Sequence, residues 1–588
     1  MLGKIVEIVD NKVIINLEID ISNQANLINL HVIFEDATKK IVGVIANVNK
    51  TQMIINILGE FVGEEFVPGS SSKPSFKSKP RIIKLEELEK ILGSQTIDKG
   101  YTNFGLSTVY QNYKINVNVN DFFSNHFAIL GNSGSGKSCT VASIIQKLYT
   151  TTQTPPLNSN LFLFDAFGEY TNAFIELSKI NSNIVYKRFT TNTRSNDSEL
   201  LRIPIWLLDV DDLALLLDVT TPNQLPIIEK ALRLVPILSG DTDSTIKYKN
   251  DIIARALEDI LLSGAQSTKI RDQVTAILTK FNTRELNLET KIVQPGYVRT
   301  LKQCLYIDKS GKFQEIELVT EFIKSYIDEE FDREINTSST QIYYTLKDLE
   351  EAMEFALISE GVLKSEKVYD NANVLSVRLH NLANGEYSEY FNYPKYVTKG
   401  EFIRNLMIDS QTGKKAQIVN FNINYVDDRL AKVMTKIISR MLFNISAENE
   451  NRGSTAFHII IEEAHRYVQK DKDLEILGYN IFERITKEGR KYGVFLALVT
   501  QRPSELSDTA ISQCANFIIL RTLHPKDLTY IKEMVPDISI EIVEQLKNLR
   551  PGNCIAFGSA FKIPISMHVE LPNPTPNSNN VDLQSVWY

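Results

Sequence analysis

The sequence predicts an α/β fold: a mostly parallel sheet covered by helices, with a small β-domain before it and a helical insertion within it. Three patterns predict this. Val/Ile-rich runs broken by turn residues fill the first 68 residues. Apolar runs of strand length alternate with helical stretches after Phe122 and again after residue 415, as expected of strands buried on both faces. Between these two stretches, over about 205–395, long amphipathic patterns dominate.

Taken in order, GKIVEIVDNKVIINLEI and KKIVGVIANVNKTQMIINILGEFV carry turn signals at Asp10-Asn11 and Asn49-Lys50. Strands so spaced predict a small barrel over 1–68, and another small β-domain fits equally. Gly69 to Arg81, rich in Ser, Pro and base, reads as a flexible connection opening a 69–120 transition. Its alternative use is to track phosphates through Lys73, Lys77, Lys79 and Arg81.

One α/β domain is expected in two pieces, 121–204 and 396–570. Strands are expected over 126–130, 160–165, 417–421, 457–462, 494–500 and 516–521, and helices over 138–148 and 428–443. Runs such as QLPIIEKALRLV and DIIARALEDILL make 205–395 helical. The last stretch, 571–588, reads as an extended Pro/Asn arm ending in Trp587 and Tyr588, either docked or frayed.

Composition narrows the function classes. Hydrophobic residues at 43% and charged ones at 23% exclude global disorder. A net charge of −8 excludes a wholly basic surface, so nucleic acid would have to meet a local basic stripe such as a pore lining. Four scattered cysteines with no CxxC pair argue against a zinc module or a disulfide framework. No apolar run approaches the roughly 18 residues of a membrane span, and MLGKIVEIVDNK lacks a signal-peptide apolar region. A cytoplasmic chain with no membrane association is therefore expected.

The chemistry-bearing residues begin at Gly131-Asn132-Ser133-Gly134-Ser135-Gly136-Lys137-Ser138, followed by Cys139. The run fits G-x-x-x-x-G-K-[ST] between an expected strand and an expected helix. Glycines let backbone N–H groups curl around phosphates, and the helix N-terminus adds a favourable dipole. Lys137 would reach the β- and γ-phosphates, and Ser138 Oγ would ligate Mg²⁺. The simpler reading is a glycine turn that only caps a helix.

Such a loop needs an acid beside the metal and a base to orient water. Phe457-His458-Ile459-Ile460-Ile461 runs into Glu462 and Glu463 at a strand's C-terminal end, where ligands bind in open α/β sheets. Glu462 is assigned to the metal side and Glu463 to the water, and the reverse order stays open. His465 follows as a coupling or structural histidine. Asp165 and Glu169, around Gly168, are expected to face the same crevice. Arg490, in EGRKYG, is a candidate finger offered to the γ-phosphate, from a neighbouring subunit if need be. Gln501, ending its strand in TQRP, is a candidate sensor, with Arg502 and Arg521 as weaker cationic options.

The order of β-domain, FFSNHFAILGNSGSGKS, FLFDAFGEY, helical insert, IIIEEAH, EGRKYG and TQRP resembles the HerA family, within the HerA/FtsK class of RecA-like ATPases. Phe167 stands where that family commonly has histidine. The resemblance implies a RecA-like P-loop core, ATP and Mg²⁺ as cofactors, and a homo-oligomeric ring, a hexamer by family type, moving double-stranded DNA. It further implies Lys137 and Ser138 as the Walker A pair, Glu462 and Glu463 as the Walker B acids, Arg490 acting in trans and Gln501 as sensor. An effector, a nuclease or a sirtuin-like NADase, is implied on the N-terminal barrel, for DNA end processing or anti-phage defence. Two alternatives stand beside the motor: a ring scaffold that activates an effector with little translocation, and a conjugation- or packaging-type pump.

Overall fold

The computed structural model describes residues 2–18, 27–36, 39–69, 72–239, 243–328, 343–359, 366–470, 472–534, 540–578 and 583–587. Tyr588 and residues 579–582 of the expected arm lie outside them, as do residues 70–71 of the expected connection. The chain divides into two compact units. The first comprises Met1–Leu200, Gly400–Asp471 and Tyr479–Tyr588, and the second comprises Leu201–Lys399 and Lys472–Gly478.

In the first unit the alternating N-terminal runs form β1 (Gly3–Val9), β2 (Lys12–Leu17), β3 (His31–Glu35), β4 (Lys40–Val48), β5 (Gln52–Val62), β6 (Glu65–Pro68) and β7 (Lys79–Ile82). They make an antiparallel sheet in the order β1-β2-β5-β4-β3-β7, with β6 on β5. Its two outer strands meet through Leu2 N–H donating to Pro80 O at 2.8 Å. Val13, Ile15, Val32, Ile41, Met53 and Ile55 fill its core, one face of each strand turned inward.

Within Gly69–Arg81, read from composition as a flexible connection, residues 79–81 are part of a strand, and the transition that follows supplies two more. Lys79–Ile82 pairs with β3, and Pro80 is tolerated because it sits on an outer strand. β8 (Tyr101–Ser107) and β9 (Lys114–Asn118) join the large sheet. Tertiary pairing recruited these segments, and Ser/Pro/Lys content carries no signal for that.

The large sheet adds β10 (Phe127–Leu130), β11 (Leu161–Asp165), β12 (Tyr186–Thr190) and β13 (Glu199–Leu200). The second unit holds a separate hairpin, β14 (Lys291–Gln294) with β15 (Tyr297–Thr300). The large sheet then resumes with β16 (Ile418–Asn422), β17 (Phe457–Ile461), β18 (Val494–Thr500), β19 (Asn516–Leu520), β20 (Asn553–Gly558) and β21 (Ile565–His568). Its order is β13-β12-β16-β11-β17-β18-β10-β19-β20-β21-β8-β9. Every pairing from β13 to β19 is parallel, and the rest are antiparallel. The central parallel strands β10, β11, β18 and β19 are buried at every residue, as expected of strands covered on both faces.

The second unit is built from helices including Leu225–Leu238, Asp243–Leu261, Ser267–Lys280, Leu346–Ser359 and Glu366–Asn384. Leu346–Ser359 packs along Leu225–Leu238. The short piece Lys472–Gly478 belongs to it although it comes from far along the chain. Among the described residues no helix is long and apolar enough to cross a membrane.

Candidate functional site

β10 delivers the chain to the C-terminal edge of the sheet, and the helix Lys137–Thr150 carries it away. Between them Gly134 and Gly136 take φ of 70° and 100°, a left-handed conformation that side chains other than glycine strain to adopt. A Cβ on Gly134 would meet nothing within 4 Å, so the concavity of the loop stays open to a ligand. Neighbouring strands brace the loop: Gly131 N–H donates to Thr500 O at 3.2 Å and Asn132 N–H to Arg521 O at 2.9 Å. Ser135 is wholly buried, its Oγ donating to Asn132 O at 2.7 Å, and Lys137 Nζ donates to the same carbonyl at 3.3 Å. Ser133 is exposed, while Ser138 and Cys139 open the helix half-buried.

Two strands away, β17 ends at the same edge and presents Glu462 and Glu463, both buried. Glu462 Oε2 accepts from the Tyr170 hydroxyl at 2.9 Å. Burial drives its carboxyl far above the usual range, the neighbouring Glu463 adds to this, and the Tyr170 bond and Lys137 oppose it. Glu463 holds φ 48°, a left-handed backbone rare for a residue with a side chain. Burial also raises its carboxyl, and Lys137 is the strongest opposing charge.

His465 Nδ1 stands 3.2 Å from Glu463 Oε2 and 3.0 Å from Thr500 Oγ1. Burial lowers the His465 pKa, which favours the neutral ring, and Nδ1 shares a hydrogen bond with Thr500 Oγ1. Among the described residues Glu463 Oε2 has no hydrogen-bond partner, and neither has the buried Glu169 Oε2. Two carboxylate oxygens free of hydrogen bonds and a lysine sharing one crevice make a donor set that suits a cation and its anionic ligand. Among the described residues no cluster of three His, Cys, Asp or Glu forms a metal cage, so a metal here would depend on ligand oxygens as well.

Asp165 departs from the sequence reading, which turns it toward the crevice with Glu169. It is wholly buried and its oxygens are engaged. Oδ1 accepts from Glu169 N–H at 3.0 Å, and Oδ2 from Tyr170 N–H at 2.9 Å and Asn420 Nδ2 at 3.3 Å. Asp165 shapes the turn that presents Glu169 and Tyr170, and burial lifts its pKa to about 6. Tyr170 is the site residue that the sequence does not reveal, because a tyrosine after an acidic strand end carries no signal until the partner strand is known.

Gln501 follows β18 directly, next to the Thr500 carbonyl that braces Gly131. Arg502 is paired with Glu505 at 3.0 Å. Arg490 lies elsewhere. Its helix, Ile481–Tyr492, starts at Asn480, whose side chain accepts from Phe482 and Glu483 N–H, and stops at Gly493 with φ 78°. The chain then enters β18 at Val494, so Arg490 sits at the N-terminal edge of the sheet near His126, exposed and with no ion pair among the described residues. The seven residues of β18, at about 3.3 Å each, separate it by roughly 20 Å from the edge that carries Gly131.

Comparison with known proteins gives these residues a family. The model of the HerA helicase central domain matches residues 103–442. The DNA double-strand break repair helicase HerA of Pyrococcus furiosus is 22% identical over 525 residues, covering 88% of this chain and 76% of that protein. A probable helicase of Methanocaldococcus jannaschii is 23% identical over 506 residues, covering 85% and 72%. Among solved structures, VirB4 of Thermoanaerobacter pseudethanolicus is similar at TM-score 0.41 and 14% identity, covering 81% of this chain and 98% of that one. The conjugative coupling protein TrwB is similar at TM-score 0.41 and 11% identity, covering 84% and 94%. With a glycine-rich loop of P-loop pattern, paired acids at a strand end on the same edge and a family match over more than half its length, this chain belongs to the HerA helicase family and is an ATPase of the P-loop class.

Proposed function

We propose that the chain is an ATP-driven translocase of double-stranded DNA, working as a homo-oligomeric ring whose subunits share each nucleotide site. The observation that carries this is the placement of Arg490. It stands free at the edge of the sheet opposite Gly131, so it can serve a phosphate loop only by reaching that of another copy. A ring, with six subunits the expected count, gives every copy such a neighbour.

The residue roles follow from chemistry. The backbone of Gly131, Asn132, Ser133, Gly134, Ser135 and Gly136 cradles the phosphates, helped by the helix start at Lys137, Ser138 and Cys139. Mg²⁺, when bound, neutralises phosphate charge, with Ser138 Oγ and Glu462 on its side of the site. Glu462, costly to ionise while buried beside Glu463, regains its charged form next to a cation. Glu463 orients and deprotonates the attacking water, its strained backbone and unpartnered oxygen leaving it aimed and basic. Gln501 reads the γ-phosphate beside it. Arg490 of a neighbouring subunit stabilises charge on the transferring group. Asp165 holds the turn that carries Glu169.

The N-terminal sheet, read as a small barrel, is the proposed platform for an effector such as a nuclease or an NADase, with anti-phage defence or DNA end processing as the setting. The −8 net charge suits a ring with basic groups on its inner wall alone.

The test is ATPase rate and particle mass measured together across protein concentration, with and without duplex DNA. A motor should assemble as a multimer, lose specific activity on dilution to monomer, and turn over faster with duplex DNA. A monomer hydrolysing at full rate at every dilution would end the shared-site reading. A multimer indifferent to DNA would favour the scaffold.

A further inference from the structure

The large sheet places β19, β20 and β21 on the side of β10 away from the acids, and the function so far makes no use of that side. The acids stand on the β17 side of β10, so the γ-phosphate end of a nucleotide belongs there. Its nucleoside must then leave over β19 to β21. Because β20 and β21 are antiparallel insertions, the first residue of β20, Asn553, and the last of β21, His568, are paired opposite each other. Both lie at the edge that carries Gly131, since Cys554 pairs with Leu520 at the end of β19.

This corner is physically joined to the phosphate loop. Gly552 N–H donates to Ser135 O at 3.1 Å, and a Cβ on Gly136 would lie 3.2 Å from Gly552 N. The His568 ring abuts Gly552 in turn: a Cβ there would lie 3.0 Å from His568 Cε1. The ring is exposed, yet it is held from below by Nδ1 donating to Asn553 Oδ1 at 2.8 Å. Two residues on, Glu570 pairs at 2.5 Å with Lys147 of the helix that starts at Lys137. An exposed aromatic ring thus stands beside the phosphate loop, bonded to Asn553 and lying against Gly552, which itself donates to Ser135 O. Three strand spacings of about 4.8 Å separate β21 from β10, a span of roughly 14 Å from the strand that leads into the loop.

We propose that His568 is the shelf on which the purine base of the nucleotide stacks, oriented by Asn553, so that it contributes to base affinity and not to phosphate binding. This rests on the nucleotide reading of the loop at Gly131. Two probes separate the inferences: Mg²⁺–ADP, which carries a base, and inorganic tripolyphosphate, which does not. Both are titrated by calorimetry against the full chain. His568→Ala should weaken ADP roughly tenfold, within the range stacking on an aromatic ring supplies, and leave tripolyphosphate unchanged. His568→Phe, which keeps a stacking face, should bind ADP nearly as the parent does. Unchanged ADP affinity in His568→Ala, an equal loss of both probes, or a His568→Phe as weak as His568→Ala would each overturn the shelf. Lys137→Ala should lose both probes. If it kept them, the nucleotide reading itself would fall and the shelf with it.

Discussion

The two edges of the same parallel sheet have been put to opposite uses. At the C-terminal edge Glu462, Glu463 and Glu169 are crowded into one crevice with Lys137, a backbone is strained at Glu463, and two carboxylate oxygens have no partner. At the N-terminal edge His126 is buried and His458 half-buried, and each ring meets the main chain through one nitrogen while the other nitrogen, among the described residues, has no hydrogen-bond partner. Leu496 N–H donates to His126 Nδ1 at 2.9 Å, and His458 Nε2 lies 2.8 Å from Phe123 O. The first edge holds carboxyls whose ionisation burial opposes, and a bound cation would favour their charged form. The second edge holds rings whose protonation burial opposes, and Arg490 is exposed there. Strand direction accounts for the difference, because loops at C-terminal ends are where open α/β sheets bind.

The largest test of that contrast is Arg490→Ala. With the finger acting between subunits, it should reduce turnover by about 10³-fold or more while ATP affinity is largely kept. Mixing it with Lys137→Ala should restore part of the rate, since some seams then pair an intact loop with an intact guanidinium. Mixtures as inactive as either variant would mean that Arg490 does not cross to another copy.

Next in size is Glu463→Gln, which should bind ATP and turn it over about 10²-fold slower or worse. The measurement is single-turnover hydrolysis beside equilibrium binding. A rate equal to the parent's would move the base to Glu462 or Glu169.

The smallest effect belongs to the opposite edge. Burial holds His126 and His458 at about 4, below the ordinary histidine value. A histidine so depressed contributes stability that is whole above about pH 6.5 and is lost as pH falls toward 4, because the unfolded chain takes up the proton first. The unfolding free energy, read from denaturant titrations, should therefore drop between pH 7 and pH 5 by an amount on the order of 1–3 kcal/mol. The drop should shrink in a His126→Asn, His458→Asn variant. Equal slopes in parent and variant would show that other groups set the acid limit.

Much of the site is legible in the chain's local patterns. Gly131 to Ser138 announces itself because backbone curvature, a lysine and a hydroxyl at fixed spacing have few other uses, and Ile459-Ile460-Ile461 before two glutamates marks a buried strand arriving at polar chemistry. The span 79–118 is illegible, since Lys79–Ile82, Tyr101–Ser107 and Lys114–Asn118 become strands only by finding distant partners. Asp165 misleads for the same reason. An acid at a strand end reads as a ligand until Tyr170, Glu169 and Asn420 are seen to occupy it.

By itself, then, the sequence determined which local stretches carry a phosphate-loop pattern, end in acids or repeat as helices, because those properties depend on neighbours a few residues apart. Only the tertiary structure decided which carboxylates remain unsatisfied, that Arg490 faces away from its own loop, and that His568 stands beside it. Each of these follows from strand order and direction, which bring together residues hundreds of positions apart and which no local pattern encodes.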